Sequence, residues 1–183
     1  MPDRLIYYIP LALFCVLSIY LGIGLTLDPK ALPSMLDGKP VPAFKLPPVK
    51  NRDNRGFSNT DLIGTVSLVN IFGSWCAACR IEHPFLMELA TEKKIIIHGI
   101  DWREENPNAG GNWLKRYGDP YSLVGDDPYS KAAIAFGVTG APETFLVDKK
   151  GIVRYKHTGP LNRKIWTNLL SPMIEKLQIR KGS

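Results

Sequence analysis

Cys76 and Cys79 are the residues best placed to do chemistry in this 183-residue chain. They lie in Trp75-Cys76-Ala77-Ala78-Cys79, where an apolar, β-branched run ends and a helical pattern begins. At a helix start the unpaired backbone N–H groups and the positive end of the helix dipole favour a thiolate and lower its pKa. Cys76 is therefore expected to be the exposed attacking sulfur. Cys79, on the same helical face one turn deeper, is expected to resolve the mixed disulfide. Three other uses of such a pair stay open on spacing alone. A zinc site could add His83 but needs a fourth ligand from His98, His157 or a carboxylate, with no second C-x-x-C present. A copper site would hold its thiolates in a loop with a distant histidine. A static bridge would close a loop too short to stabilise much. No metal site and no cofactor is expected, and Gly110-Gly111 reads as a turn rather than a nucleotide-binding loop.

The second candidate stretch is Gly137-Val138-Thr139-Gly140-Ala141-Pro142-Glu143-Thr144-Phe145. A proline entering a strand after a glycine-rich turn is a candidate cis peptide. Next to the cysteines, Thr139, Gly140 and Ala141 could present backbone to a bound chain for β-like pairing. Two acids flank the candidates. Glu82, one turn beyond Cys79, could relay a proton for the buried thiol, and its charge would oppose thiolate formation. Its bland alternative is a solvated helix residue. Glu143 could tune the site or select a basic substrate segment, against the plain alternative of a surface strand residue. Trp75 could wall the site beside Cys76 or simply pack in the core. Arg80 reads as a solvated residue, and His83 as a helix-surface or junction residue rather than a ligand.

These residues need a scaffold, and the sequence outlines one. Val66–Phe72 is a buried-strand pattern, and a helix follows from Cys76 with Ile81, Phe85, Glu88 and Leu89 at helical spacing. Pro84 should kink that helix or shift its start. Further strands are expected at Ile95–Ile100, Ser122–Val124 and Glu143–Val147, with Ile152–His157 returning as a hairpin. Val41–Leu46 could add a short edge strand, and Asn51–Gly56 a turn. Helical segments are expected at Trp113–Tyr117 and Tyr129–Phe136. The last helix is expected at Asn162–Ile179, capped by Asn162, bent by Pro172, and facing Ile165, Trp166, Leu169, Leu170, Met173, Ile174 and Leu177 inward. The order gives an α/β fold with a mixed central sheet flanked by helices.

Ahead of it, Leu5–Leu27 carries no charge and would rise about 34 Å as a helix, enough for a hydrocarbon core of about 30 Å. No small-x-small cleavage site follows, so an uncleaved transmembrane anchor is expected in residues 1–30, spanning 5–27. A proline-rich linker, 31–40, leads to the domain at 41–183. Arg4 and the free amine against Lys30 gently favour a cytoplasmic N-terminus. Cys15, mid-span, behaves as a small hydrophobe. The formal charge of +6 is scattered in pairs such as Lys93-Lys94, without a basic arm or aromatic interleaving, which argues against nucleic acid as a partner.

Taken together, Gly73 to Pro84, Trp113-Leu114-Lys115, Gly118 to Tyr121, Gly137 to Val147 and Gly151 to Gly159 resemble the thioredoxin superfamily. More narrowly they resemble its cytochrome c maturation branch, the DsbE-type thiol:disulfide interchange proteins. The resemblance implies a thioredoxin-like fold and a periplasmic oxidoreductase held in the bacterial inner membrane by one span. It implies a redox-active pair at Cys76 and Cys79, a cis Pro142 facing the sulfurs, and an acidic surround that includes Glu82 and Glu143. The implied task is to keep apocytochrome c C-x-x-C-H cysteines reduced for haem attachment. The implied partners are apocytochrome c, other cytochrome c maturation proteins, and a membrane electron donor of the DsbD or CcdA type. A general disulfide oxidase or isomerase, and a non-redox assembly scaffold, are the competing functions.

Overall fold

A computed structural model describes residues 5–26, 36–53 and 55–179. The flanking Arg4 and Lys30 and the first half of the expected linker lie outside the described residues. The chain divides into two compact units, Met1–Pro33 and Ser34–Ser183. In the first, helix α1 (Leu5–Thr26) continues through Pro10, and its described side chains, residues 8–23, are all exposed. Among the described residues no helix is long and apolar enough to cross a membrane.

The second unit is built on a five-stranded sheet. Its strands are β3 (Ser67–Phe72), β4 (Ile96–Trp102), β5 (Val124–Asp127), β6 (Glu143–Val147) and β7 (Val153–Thr158). They lie in the order β5-β4-β3-β6-β7, with β3, β4 and β5 parallel and β6 and β7 antiparallel to their neighbours. This is the expected mixed sheet flanked by helices. All of β3 is buried because both its faces are covered, which is why its sequence does not alternate. Leu68 and Phe72 pack on one face with α2 (Ala77–Thr91), α3 (Ala109–Tyr117) and the C-terminal helix; Val69 and Ile71 pack on the other with Phe44, Phe57, Ala132 and Phe136.

Several expectations shift. The edge strand shrinks to β1 (Lys45–Leu46), paired with β2 (Phe57–Ser58), and Gly38 and Val41 already hydrogen-bond to Val153 and Gly151. Helix α2 keeps its start and runs through Pro84, but its inward face is Cys79, Glu82, His83, Leu86 and Leu89, while Ile81 is exposed. Helix α3 begins earlier than expected and includes Gly110-Gly111. These glycines are close-approach sites: a side chain at Gly110 would strike the Asp101 carboxyl, and one at Gly111 the Lys50 carbonyl. Strand β5 falls later than Ser122–Val124, and α4 (Lys131–Ala135) is shorter than the sequence pattern. The last helix is three pieces: α5 (Arg163–Ile165), a π-helical turn (Trp166–Leu170) and α6 (Ser171–Ile179). The wider turn sits just before Pro172, which has no N–H to donate, so the helix adjusts there. Asn162 caps it as expected, through Ile165 N–H, while Leu169 turns outward.

Candidate active site

The sheet ends β3 at Phe72, and Gly73-Ser74-Trp75 carries the chain to Cys76, the N-cap of α2. Cys76 N–H bonds to the Gly73 carbonyl at 3.1 Å, and Cys76 Sγ accepts the Cys79 N–H at 3.0 Å. A sulfur thus takes one of the unpaired donors of the helix start, the position where negative charge is best tolerated. Cys76 and Cys79 are joined by a disulfide. Both residues are buried in this oxidised form, Cys76 at 4% and Cys79 at 1% exposure, which corrects the expectation of an openly exposed first sulfur while keeping the order. Trp75 is not core: it is 51% exposed, with its indole N–H donating to the Trp102 carbonyl at 2.9 Å.

Glu82 is buried rather than solvated. Its Oε1 accepts from Asn70 Nδ2 at 2.9 Å and its Oε2 from Leu161 N–H at 2.8 Å. Asn70 also donates to Thr144 Oγ1 at 3.1 Å and accepts from the Tyr121 hydroxyl at 2.7 Å. Every partner of Glu82 is neutral. Burial therefore dominates over these hydrogen bonds and pushes its carboxyl up to about 7. Tyr121, stacked on Phe72 at 4.8 Å, is driven above the ordinary phenol range, first by burial and then by the Glu82 charge. His83 is likewise buried, not on the surface: it bonds the Gly118 carbonyl at 3.0 Å and meets Trp113 edge-on, and burial lowers its pKa.

On the other side of β3, the Ala141–Pro142 peptide is cis. Ala141 packs against the same apolar cluster as Cys76 and Cys79, and Pro142 O accepts from Gly159 N–H at 2.9 Å. Thr139 uses both its N–H (3.2 Å) and its hydroxyl (2.6 Å) to bond Glu143 Oε1. Gly140 has open space where a side chain would stand. Glu143 is neither the surface strand residue of the plain alternative nor open to a basic substrate segment. It is wholly buried and pairs with Lys156 Nζ at 2.9 Å; that ammonium also donates to the Gly137 carbonyl at 2.8 Å and lies over Phe145. Because strand side chains alternate, Glu143 shares the face of Phe145 and Val147, opposite the face that carries Asn70, Thr144 and Glu82. It cannot touch a basic substrate segment. It closes the Gly137–Glu143 loop on itself instead.

The structure thus assembles Cys76, Cys79, Glu82 and the cis-proline loop around the ends of β3 and β6, and sets Glu143 behind the sheet. The residues that sequence reading missed are Asn70, Tyr121 and Lys156. Asn70 had a signal, as a polar side chain in the middle of an apolar strand that otherwise has only Ser67 at its start; Tyr121 and Lys156 had none beyond lying in stretches that carry the resemblance. Among the described residues no cluster of metal-ligating side chains occurs.

The Redoxin family model matches residues 36–170. The thiol:disulfide interchange protein DsbE of Allochromatium vinosum is 45% identical over 170 residues, 93% of each chain. That of Pseudomonas aeruginosa is 42% identical over 174 residues, 95% of each. Among solved structures, a thiol:disulfide interchange protein of the thioredoxin family from Chlorobium tepidum superposes with a TM-score of 0.61 at 25% identity, covering 82% of this chain and 99% of its own. A DsbF homologue from Corynebacterium diphtheriae gives 0.64 at 21%, covering 80% and 96%, and shows the same fold.

Proposed function

Since the chain belongs to the Redoxin family and, within the thioredoxin superfamily, to the DsbE-like thiol:disulfide oxidoreductases, we propose that it is a membrane-anchored periplasmic reductant of apocytochrome c disulfides. The observation that carries the reading is the Cys76–Cys79 disulfide at the N-cap of α2, with Glu82 buried on the same helix. In the reduced protein the Cys76 thiolate attacks one sulfur of the substrate disulfide. That S–S bond breaks, a mixed disulfide forms, and the departing substrate thiolate takes a proton. Cys79 then attacks Cys76 Sγ, releasing the second substrate thiol and regenerating the internal disulfide. Two electrons pass to the substrate. Glu82 accepts the Cys79 proton, directly or through water, because a carboxyl near 7 is poised to exchange protons at neutral pH. The cis-proline loop, with Thr139, Gly140 and Ala141, offers backbone to the substrate chain, and Trp75 borders the approach.

Each turnover leaves the protein oxidised, so a membrane dithiol donor of the DsbD or CcdA type restores it. The charge-free run of residues 5–27 in the sequence is what supports an anchor there, with the domain from 41 onward in the periplasm. The test is to equilibrate the full chain in glutathione buffers and to measure reduction of a C-x-x-C-H peptide disulfide. A strongly reducing potential with peptide reduction is expected. An oxidising potential without it favours the oxidase reading.

A further inference from the structure

Ser74, two residues before Cys76, stands between two grooves of opposite character. On one side its N–H and its hydroxyl donate to Glu104, the hydroxyl at 2.7 Å, and Glu104, Glu105 and Arg103 line that groove. On the other side a groove of about 630 Å³ opens between α2 and α3, a size usual for a binding cleft. Its charged lining is Arg80 from α2 with Lys115 and Arg116 from α3, and no carboxylate lines it. All three cations are exposed, and among the described residues none of them has an ion-pair partner. Elsewhere Arg52, Arg154 and Lys156 each meet a carboxylate within 2.9 Å. Like charges gathered in one groove without an anion raise the local potential and draw an anionic partner in.

The groove also lies within reach of the sulfur chemistry. Arg80 follows Cys76 by one helical turn, its N–H on the Cys76 carbonyl at 3.3 Å, so the two side chains share a face of α2. Its guanidinium lies over the Tyr117 ring, 5.4 Å from the centroid, a contact that orients the charge toward α3 without neutralising it. Four helical residues rise about 6 Å, a span that two residues of extended chain cover at about 3.3 Å each. We propose that this groove takes an acidic segment of the disulfide substrate, with Arg80, Lys115 and Arg116 pairing with Asp or Glu side chains that flank the attacked cysteine. The segment runs on the α2–α3 side of Ser74, away from Glu104 and Glu105. The three cations select and steer the substrate, and the bond exchange stays with Cys76 and Cys79. The choice of a disulfide substrate rests on the reductase reading; capture of an acidic chain by the groove does not.

The test uses the reduced full-length chain in detergent and three C-x-x-C-H peptide disulfides whose two flanks carry Glu, Gln or Lys. At about 20 mM salt, kcat/KM is expected to fall about tenfold from the Glu to the Gln peptide, and the difference should shrink to about twofold at about 500 mM. Lys115→Glu/Arg116→Glu reverses two exposed charges of the groove and should invert the order, with the Lys peptide reduced fastest. Lys93→Glu/Lys94→Glu changes the net charge equally, just past the far end of α2, and should keep the Glu preference. That pair separates the groove from the overall charge of +6. Equal rates for the three peptides in the wild type overturn the proposal, as does an unchanged order in Lys115→Glu/Arg116→Glu or an inverted one in Lys93→Glu/Lys94→Glu. If the wild type reduces none of them, the reductase reading fails, and the groove is decided by fluorescence anisotropy of the Glu peptide with serines in place of its cysteines. Binding to the oxidised wild type that Lys115→Glu/Arg116→Glu weakens about tenfold upholds the groove. Equal or absent binding overturns it.

Discussion

Two glutamates are buried on opposite faces of one sheet, and they differ in what answers their charge. Glu82, on the cysteine side, is surrounded by an asparagine amide, a backbone N–H and a nearby phenol. Glu143, behind the cis-proline loop, has Lys156 at 2.9 Å and two further donors from Thr139. Burial without a cation leaves a carboxyl that gains and loses its proton near neutrality. Burial with one makes a fixed tie. On the proposed mechanism, the redox half of the site moves a proton through Glu82, while the ion pair ties down the proline half.

The comparison breaks most visibly at the sulfurs. Cys76→Ser is expected to lower peptide-disulfide reduction to background, whereas Lys156→Met, on the proline side, should leave measurable turnover in the molecules that fold. Lys156→Met should instead be costly in stability, by about 3–5 kcal/mol in urea unfolding, because it strands a buried carboxylate. The double variant Lys156→Met/Glu143→Gln should recover most of that loss. A cost below about 1 kcal/mol for the single change would mean the pair is no tie.

Glu82→Gln sharpens the contrast. A carboxyl raised by folding binds more protons folded than unfolded, so stability falls as pH climbs from the ordinary 4.5 to about 7. That loss, about 3 kcal/mol at most, should be missing in Glu82→Gln, and release of the mixed disulfide at pH 7 should slow by about a hundredfold. Stopped-flow quenching at two pH values reads the second effect, and a wild-type rate in the variant would remove Glu82 from proton transfer. His98 is the control, remote in role from both halves. It stacks on Phe57 at 4.9 Å, and burial lowers its pKa from 6.5 to about 4. The sign is opposite to Glu82: stability is present above 6.5 and is lost as pH falls through about 4. His98→Gln should therefore lessen acid destabilisation, by about 1 kcal/mol at about pH 5.5, without changing redox kinetics.

Much of this arrangement was legible in the residues. The strand from Val66, the helix start at Cys76, the β6–β7 hairpin and the proline before β6 follow from β-branched runs, turn residues and capping chemistry. What was not legible depends on tertiary contact. Gly110-Gly111 reads as a turn until Asp101 and Lys50 are seen to press against it, and then helix becomes the conformation that permits the approach. Ile81 belongs to the apolar stripe by spacing, yet the inward face of α2 carries Glu82 and His83, because Asn70, Leu161 and Gly118 supply the polar partners that let them be buried. The separation of Glu82 and Glu143 onto two faces required knowing that Lys156 stands across from Phe145 in the β6–β7 register.

The most direct measurement is to mix reduced Cys79→Ala protein with a C-x-x-C-H peptide disulfide and map any adduct by mass spectrometry. A stable mixed disulfide through Cys76 is predicted, since the attacking sulfur remains and the resolving one is gone. No adduct, while Cys76 still alkylates rapidly, would contradict the division of roles between the two sulfurs.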